Sequence, residues 1–80
     1  MLGLLYVEGG AYTMKNRIKE FRARHDYTQE KLAQLVGITR QSLWAIENED
    51  SIPGGDTMLK IAKVLREPVE VIFSEYKEVK

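Results

Sequence analysis

Cysteine is absent from this 80-residue chain, histidine and tryptophan occur once each, and proline occurs twice. Without cysteine there are no disulfides and no thiolate zinc sites, and the lone His25 cannot build a multi-histidine metal cluster. Small secreted domains usually depend on disulfide staples, so the chain is expected in a reducing compartment, the cytoplasm. No apolar run approaches the ~18 residues of a membrane span, and the first seven residues lack the basic flank and the length of a signal peptide. Net charge is missing too, since twelve Lys+Arg balance twelve Asp+Glu. A chain this short holds one modest core and leaves roughly 35 to 40% of its unfolded surface exposed. An enzyme is therefore not expected, and no nucleophile–base pair, metal cluster or cofactor motif stands in the sequence. Taken as a sum, zero net charge also argues against a nucleic-acid partner.

Resolved along the chain, the balance is uneven. Between 14 and 46, seven bases (Lys15, Arg17, Lys19, Arg22, Arg24, Lys31, Arg40) stand against three acids (Glu20, Asp26, Glu30), a local net of +4. From Glu47 onward eight acids face five bases for a net of −3, and Glu8 supplies the remaining negative charge. Charged helix faces mostly serve solubility, so the asymmetry by itself is compatible with two ordinary solvated halves.

Residues 1–13, MLGLLYVEGGAYT, hold a short apolar run and Gly9-Gly10 with a single charge, and fit no helical period. They are read as a leader. One expectation is translated upstream sequence ahead of a start at Met14, because Glu8-Gly9-Gly10 is what a purine-rich ribosome-binding site encodes in frame. The other is an arm in which Leu2, Leu4, Leu5, Tyr6 and Val7 pair as a strand with a second chain.

From 14 to 73 the apolar residues fall at helical spacing in short segments divided by polar or Gly/Pro punctuation, which predicts one all-α domain of five helices. The first, about 15–25, buries Ile18 and Phe21 and ends at Asp26, with His25 complementing the helix dipole. Thr28 reads as the N-cap of a second helix with Leu32, Ala33 and Val36 inward, and Gly37 stops it. Thr39 opens a third helix with Leu43 and Ile46 inward. After the turn-rich 51–55, Asp56 caps a fourth helix with Leu59, Ala62 and Leu65 inward. Pro68 sits in the first turn of a short fifth helix carrying Val69, Ile72 and Phe73, and 74–80 is a polar tail.

The span 28–48, TQEKLAQLVGITRQSLWAIEN, has the layout of two short helices crossing at Ala33 and joined by a tight turn at Gly37. Such αα-corners also occur in proteins that bind no nucleic acid. The outward face separates the cases. With Leu43 and Ile46 inside, Arg40, Gln41, Trp44, Ala45 and Asn48 are left outside. Arg pairs bidentately with guanine and Gln with adenine, while an Ala methyl meets thymine.

With KNRIKEFR ahead of this motif and DTMLKIAKVL and VEVIF after it, the chain resembles the lambda-repressor-like helix-turn-helix regulators of the Xre or Cro/cI type, over about 14–73. The resemblance implies a five-helix domain binding double-stranded DNA as a two-fold homodimer, its third helix in the major groove. It implies Gln29 and Asn48 on phosphates, Arg40, Gln41 and Ala45 toward base edges, Thr39 and Ser42 near the backbone, and Arg22 with Glu47 as a buried ion pair. The sequence departs from the family at Trp44, where a small or polar residue is usual, and at Glu49-Asp50, where Gly or basic residues often stand. Trp44 is expected either to stack on sugars and thymine methyls or to pack against its neighbours.

The expected function is a transcriptional regulator that occupies an operator, with repression by blocking polymerase as the simplest mechanism. Val69, Val71, Phe73 and Tyr76 are the candidates for a dimer surface. No metal, cofactor or membrane is called for. The alternative is a protein-interaction module, such as an antitoxin component, using the same fold with a protein partner.

Overall fold

A computed structural model describes residues 5–7 and 10–79, with side chains described from 14 to 73. In chain order the elements are β1 (Leu5–Val7), β2 (Gly10–Asn16), α1 (Ile18–Arg24), α2 (Gln29–Val36), α3 (Arg40–Glu47), α4 (Gly55–Leu65), α5 (Val69–Ile72) and β3 (Phe73–Val79). The five helices expected between 14 and 73 are present. No described helix is long and apolar enough to cross a membrane.

The side chains of Ile18, Leu32, Leu43, Ile61, Leu65 and Ile72 are fully buried, so each of the five helices contributes to one core. At roughly 1.5 to 3 kcal/mol per buried aliphatic side chain, this shared core holds the short helices, which would be marginal alone. α2 packs against both α3 and α4. His25, the C-cap of α1, bridges to α4 through a 2.9 Å hydrogen bond between its Nε2 and the Leu65 carbonyl, and its ring stacks on Tyr27.

Several local expectations are corrected. α1 starts at Ile18 rather than near 15, because 10–16 continues as a strand and the Asn16 side chain accepts from the Ile18 N–H at 3.1 Å. The N-cap of α4 is Gly54, not Asp56, and Asp56 lies in the first turn, where a carboxylate favours the positive end of the helix. Leu59 is 62% exposed, and Ile61 fills the core position expected of it. Pro68 caps α5 from outside rather than sitting in its first turn. Phe73 is buried in the core and unavailable to a dimer surface, while Val69 and Val71 are half-buried.

The segments read as leader and tail carry a three-stranded antiparallel sheet, β1-β2-β3. Leu5 pairs with Tyr12 and Met14 with Tyr76, with an irregular register between Met14 and Asn16. Met14 thus lies inside a strand, its side chain buried against the helical core. Leu2, Leu4, Glu8 and Gly9 lie outside the described residues, as do the side chains of Leu5, Tyr6, Val7 and Tyr76.

Candidate nucleic-acid interface

Two threonines and a glycine set the central pair of helices. The Thr28 hydroxyl accepts from the Lys31 N–H at 3.0 Å and the Thr39 hydroxyl from the Ser42 N–H at 3.0 Å, capping α2 and α3. Caps of this kind contribute ~1 kcal/mol each. Gly37 ends α2 at φ +86°, and a Cβ there would meet nothing within 4 Å, so the need for glycine lies in the backbone conformation alone.

Leu43, Ile46 and Glu47 are the buried residues of α3 and fix its rotation. That leaves Arg40, Gln41, Ser42 and Trp44 exposed, Asn48 exposed just beyond the last turn, and Ala45 half-buried between them. Among the described residues, the side chains of Arg40 and Gln41 make no hydrogen bond or ion pair. The Thr39 hydroxyl donates to the Ser42 Oγ at 2.8 Å, and the Asn48 amide donates to the Trp44 carbonyl at 2.8 Å. The Trp44 indole is 49% exposed, so its own neighbours cover only part of it.

Behind α3 a polar cluster holds the helix in place. Arg22 donates to Glu47 through Nε at 2.8 Å and Nη2 at 3.2 Å, and to the Tyr27 carbonyl through Nη1 at 3.0 Å. Gln29 adds a third hydrogen bond to Glu47, from Nε2 to Oε1 at 3.1 Å. The Glu47 side chain is wholly buried. A fourth link, from Asn16 Nδ2 to the Ile46 carbonyl at 2.8 Å, ties the C-terminal turn of α3 to the start of α1. Sequence reasoning missed Asn16 and the Gln29–Glu47 bond. Asn followed by an apolar helical run is a cap-like signal, but nothing in one sequence says that its amide reaches a helix thirty residues away.

Open hollows flank α3 on two sides. One, of about 460 Å³, is lined by Arg22, Thr28, Gln29, Glu30 and Arg40, and the other, of about 310 Å³, by Thr39, Gln41, Ser42, Ala45, Ile46 and Ser51. The first brings a helix N-terminus together with an unpaired guanidinium, a combination suited to an anionic group. On α1, Glu20 pairs with both Arg17 and Arg24 at 2.7 Å. The hydrogen bond from Arg17 holds the Glu20 carboxyl below its ordinary value. Three of the seven bases between 14 and 46 are therefore already paired, and Lys15, Lys19, Lys31 and Arg40 have no ion-pair partner among the described residues. Among the described residues no cluster of His, Asp and Glu is placed to hold a metal ion.

Comparison with known proteins agrees with this architecture. The profile of a helix-turn-helix family matches residues 18–72. An uncharacterized HTH-type transcriptional regulator of Bacillus subtilis, YgzD, is 48% identical over 60 residues, covering 75% of this chain and 91% of the relative. A second uncharacterized HTH-type transcriptional regulator, from Methanocaldococcus jannaschii, is 43% identical over 60 residues with the same coverage of both chains. Among solved structures, SinR, a master regulator for biofilm formation in complex with DNA, superposes with a TM-score of 0.64 at 29% identity, over 68% of this chain and 87% of that one.

Proposed function

Because the chain belongs to the helix-turn-helix family of DNA-binding transcriptional regulators, we propose that it occupies operator DNA as a homodimer, with α3 of each protomer in the major groove. The observation that carries this reading is the outer row of α3: Arg40 and Gln41 have unengaged side chains on a helix whose rotation is locked from behind. In the groove, Arg40 offers a bidentate donor pair to guanine, Gln41 a donor and acceptor to adenine, and Ala45 a methyl contact to thymine. Gln29 commits one amide hydrogen to Glu47, and its second is available to a phosphate beside the N-terminus of α2. Thr39, Ser42 and Asn48 border the backbone, and the open indole of Trp44 covers sugars or thymine methyls. Repression follows from occupying a site that polymerase needs.

Base contacts and phosphate contacts fail differently when removed, and gel-shift competition on a site and its single-base variants separates them. Gln41→Ala is expected to relax discrimination at one base position by ~1 to 3 kcal/mol, whereas Gln29→Ala weakens all variants alike. The reverse pattern overturns the assignment of roles.

A further inference from the structure

A third hollow, a groove of about 560 Å³, runs between α2 and α4 and shares no residue with the two that flank α3. Its apolar part is made by Tyr27, Leu35, Val36 and Val64, and Leu35 stands 44% exposed at its lip. Leu59, the most exposed large apolar residue described, lies one helical turn before Lys63 on α4. Along the same groove stand Lys60, Lys63 and Arg66. All three are exposed, and among the described residues none has an ion-pair partner. Among the described residues no carboxylate lines the groove.

We propose that this α2–α4 groove is a docking site for another protein, which lays an acidic amphipathic helix into it. The pattern of charge and apolar surface selects that occupant. Lys60 and Lys63 lie one turn apart on α4 and Arg66 is its C-cap, which leaves a row of three cations along the groove. Asp and Glu placed three or four apart on a partner helix meet such a row, while its Leu, Ile or Met side chains cover Leu35 and Val64. A nucleic-acid backbone would satisfy the cations but leave the leucines against phosphate. The site is independent of how α3 reads DNA, so a regulator on its operator can hold a protein partner at the same time.

The test titrates the full chain with a synthetic amphipathic peptide that has Leu at every third or fourth position and Glu along both flanks, followed by two-dimensional amide NMR. Counterparts with Gln or Lys in place of Glu serve as controls. Saturable shifts are expected at Leu35, Val36, Lys60, Lys63 and Val64. Affinity for the Gln peptide should be at least about tenfold lower, and Lys60→Glu with Lys63→Glu should abolish binding of the Glu peptide. Leu35→Gln should weaken it as well. These substitutions fall on exposed side chains, so the thermal midpoint and the binding of operator DNA stay as in the parent. Equal binding of the Glu and Gln peptides overturns the proposal, as do shifts confined to α3 or no saturation at peptide concentrations on the order of millimolar. If the Lys60→Glu, Lys63→Glu variant instead loses affinity for random-sequence duplex DNA, the groove is a phosphate surface and the proposal fails.

Discussion

Glu47 carries a carboxylate into the interior, and the side chains around it decide whether that is tolerable. Arg22 supplies two hydrogen bonds and Gln29 a third, and no buried side-chain polar atom among the described residues is left without a partner. Such a pair adds little net stability over an apolar replacement, but removing one member strands the other. Arg22→Met is therefore expected to lower unfolding free energy by ~3 to 5 kcal/mol in chemical denaturation, and Arg22→Met with Glu47→Leu should recover much of the loss. If the single variant unfolds at the parent's midpoint, the cluster does not anchor α3. By contrast, the Arg17–Glu20–Arg24 group is exposed, and pairs of that kind contribute little because water screens them.

At the scale of elements, four helices end in the same way. The N–H groups of Tyr27, Ile38, Asp50 and Glu67 each reach back five residues, to the carbonyls of Arg22, Ala33, Ala45 and Ala62. The residue before each donor takes a left-handed conformation: Asp26 at φ 57°, Gly37 at 86°, Glu49 at 62° and Arg66 at 59°. Only one of the four is glycine. A side chain in this conformation costs about 1 to 2 kcal/mol, of which glycine's larger entropy in the unfolded chain returns roughly half. Arg66→Gly is thus expected to stabilise by ~0.5 to 1 kcal/mol and Gly37→Ala to destabilise by a similar amount, read as opposite shifts of several degrees in Tm. Shifts of the same sign would show that the caps are not governed by backbone strain.

Those caps also explain what could be read in advance. Thr28, Gly37 and Thr39 act on backbone within a few residues, so both helices of the motif and the outward face of α3 are legible from local sequence. The buried Arg22–Glu47 geometry follows only through family resemblance. In α4, Met58, Leu59, Ile61, Ala62, Val64 and Leu65 crowd the sequence with apolar residues, so more than one helical phase fits, and the wrong one places Leu59 inside. Strands β2 and β3 pair residues about sixty apart, Met14 with Tyr76, and no local pattern announces such a partner. Asn16 escapes notice for the same reason, because its contact with Ile46 is made only in three dimensions.

For the whole molecule, zero net charge conceals a basic half from 14 to 46 and an acidic half after it. With Arg17, Arg22 and Arg24 engaged internally, Lys15, Lys19, Lys31 and Arg40 have no ion-pair partner among the described residues. With Arg40 assigned to a base edge, the proposed homodimer neutralises about six phosphates through the other three bases of each copy, which puts the slope of log K against log salt at about −5. A steeper slope in a salt titration of operator affinity would mean that cations elsewhere, such as those of the α2–α4 groove, also meet DNA.

Selection of bound sequences from a random duplex pool, run in parallel with the parent and with Gln41→Ala, addresses the reading of DNA by α3 most directly. The expected result is an enriched palindrome with half-sites centred about 10 base pairs apart, and loss of preference at one symmetric position in the variant. Failure to enrich any palindrome, or an identical motif from both proteins, would contradict it.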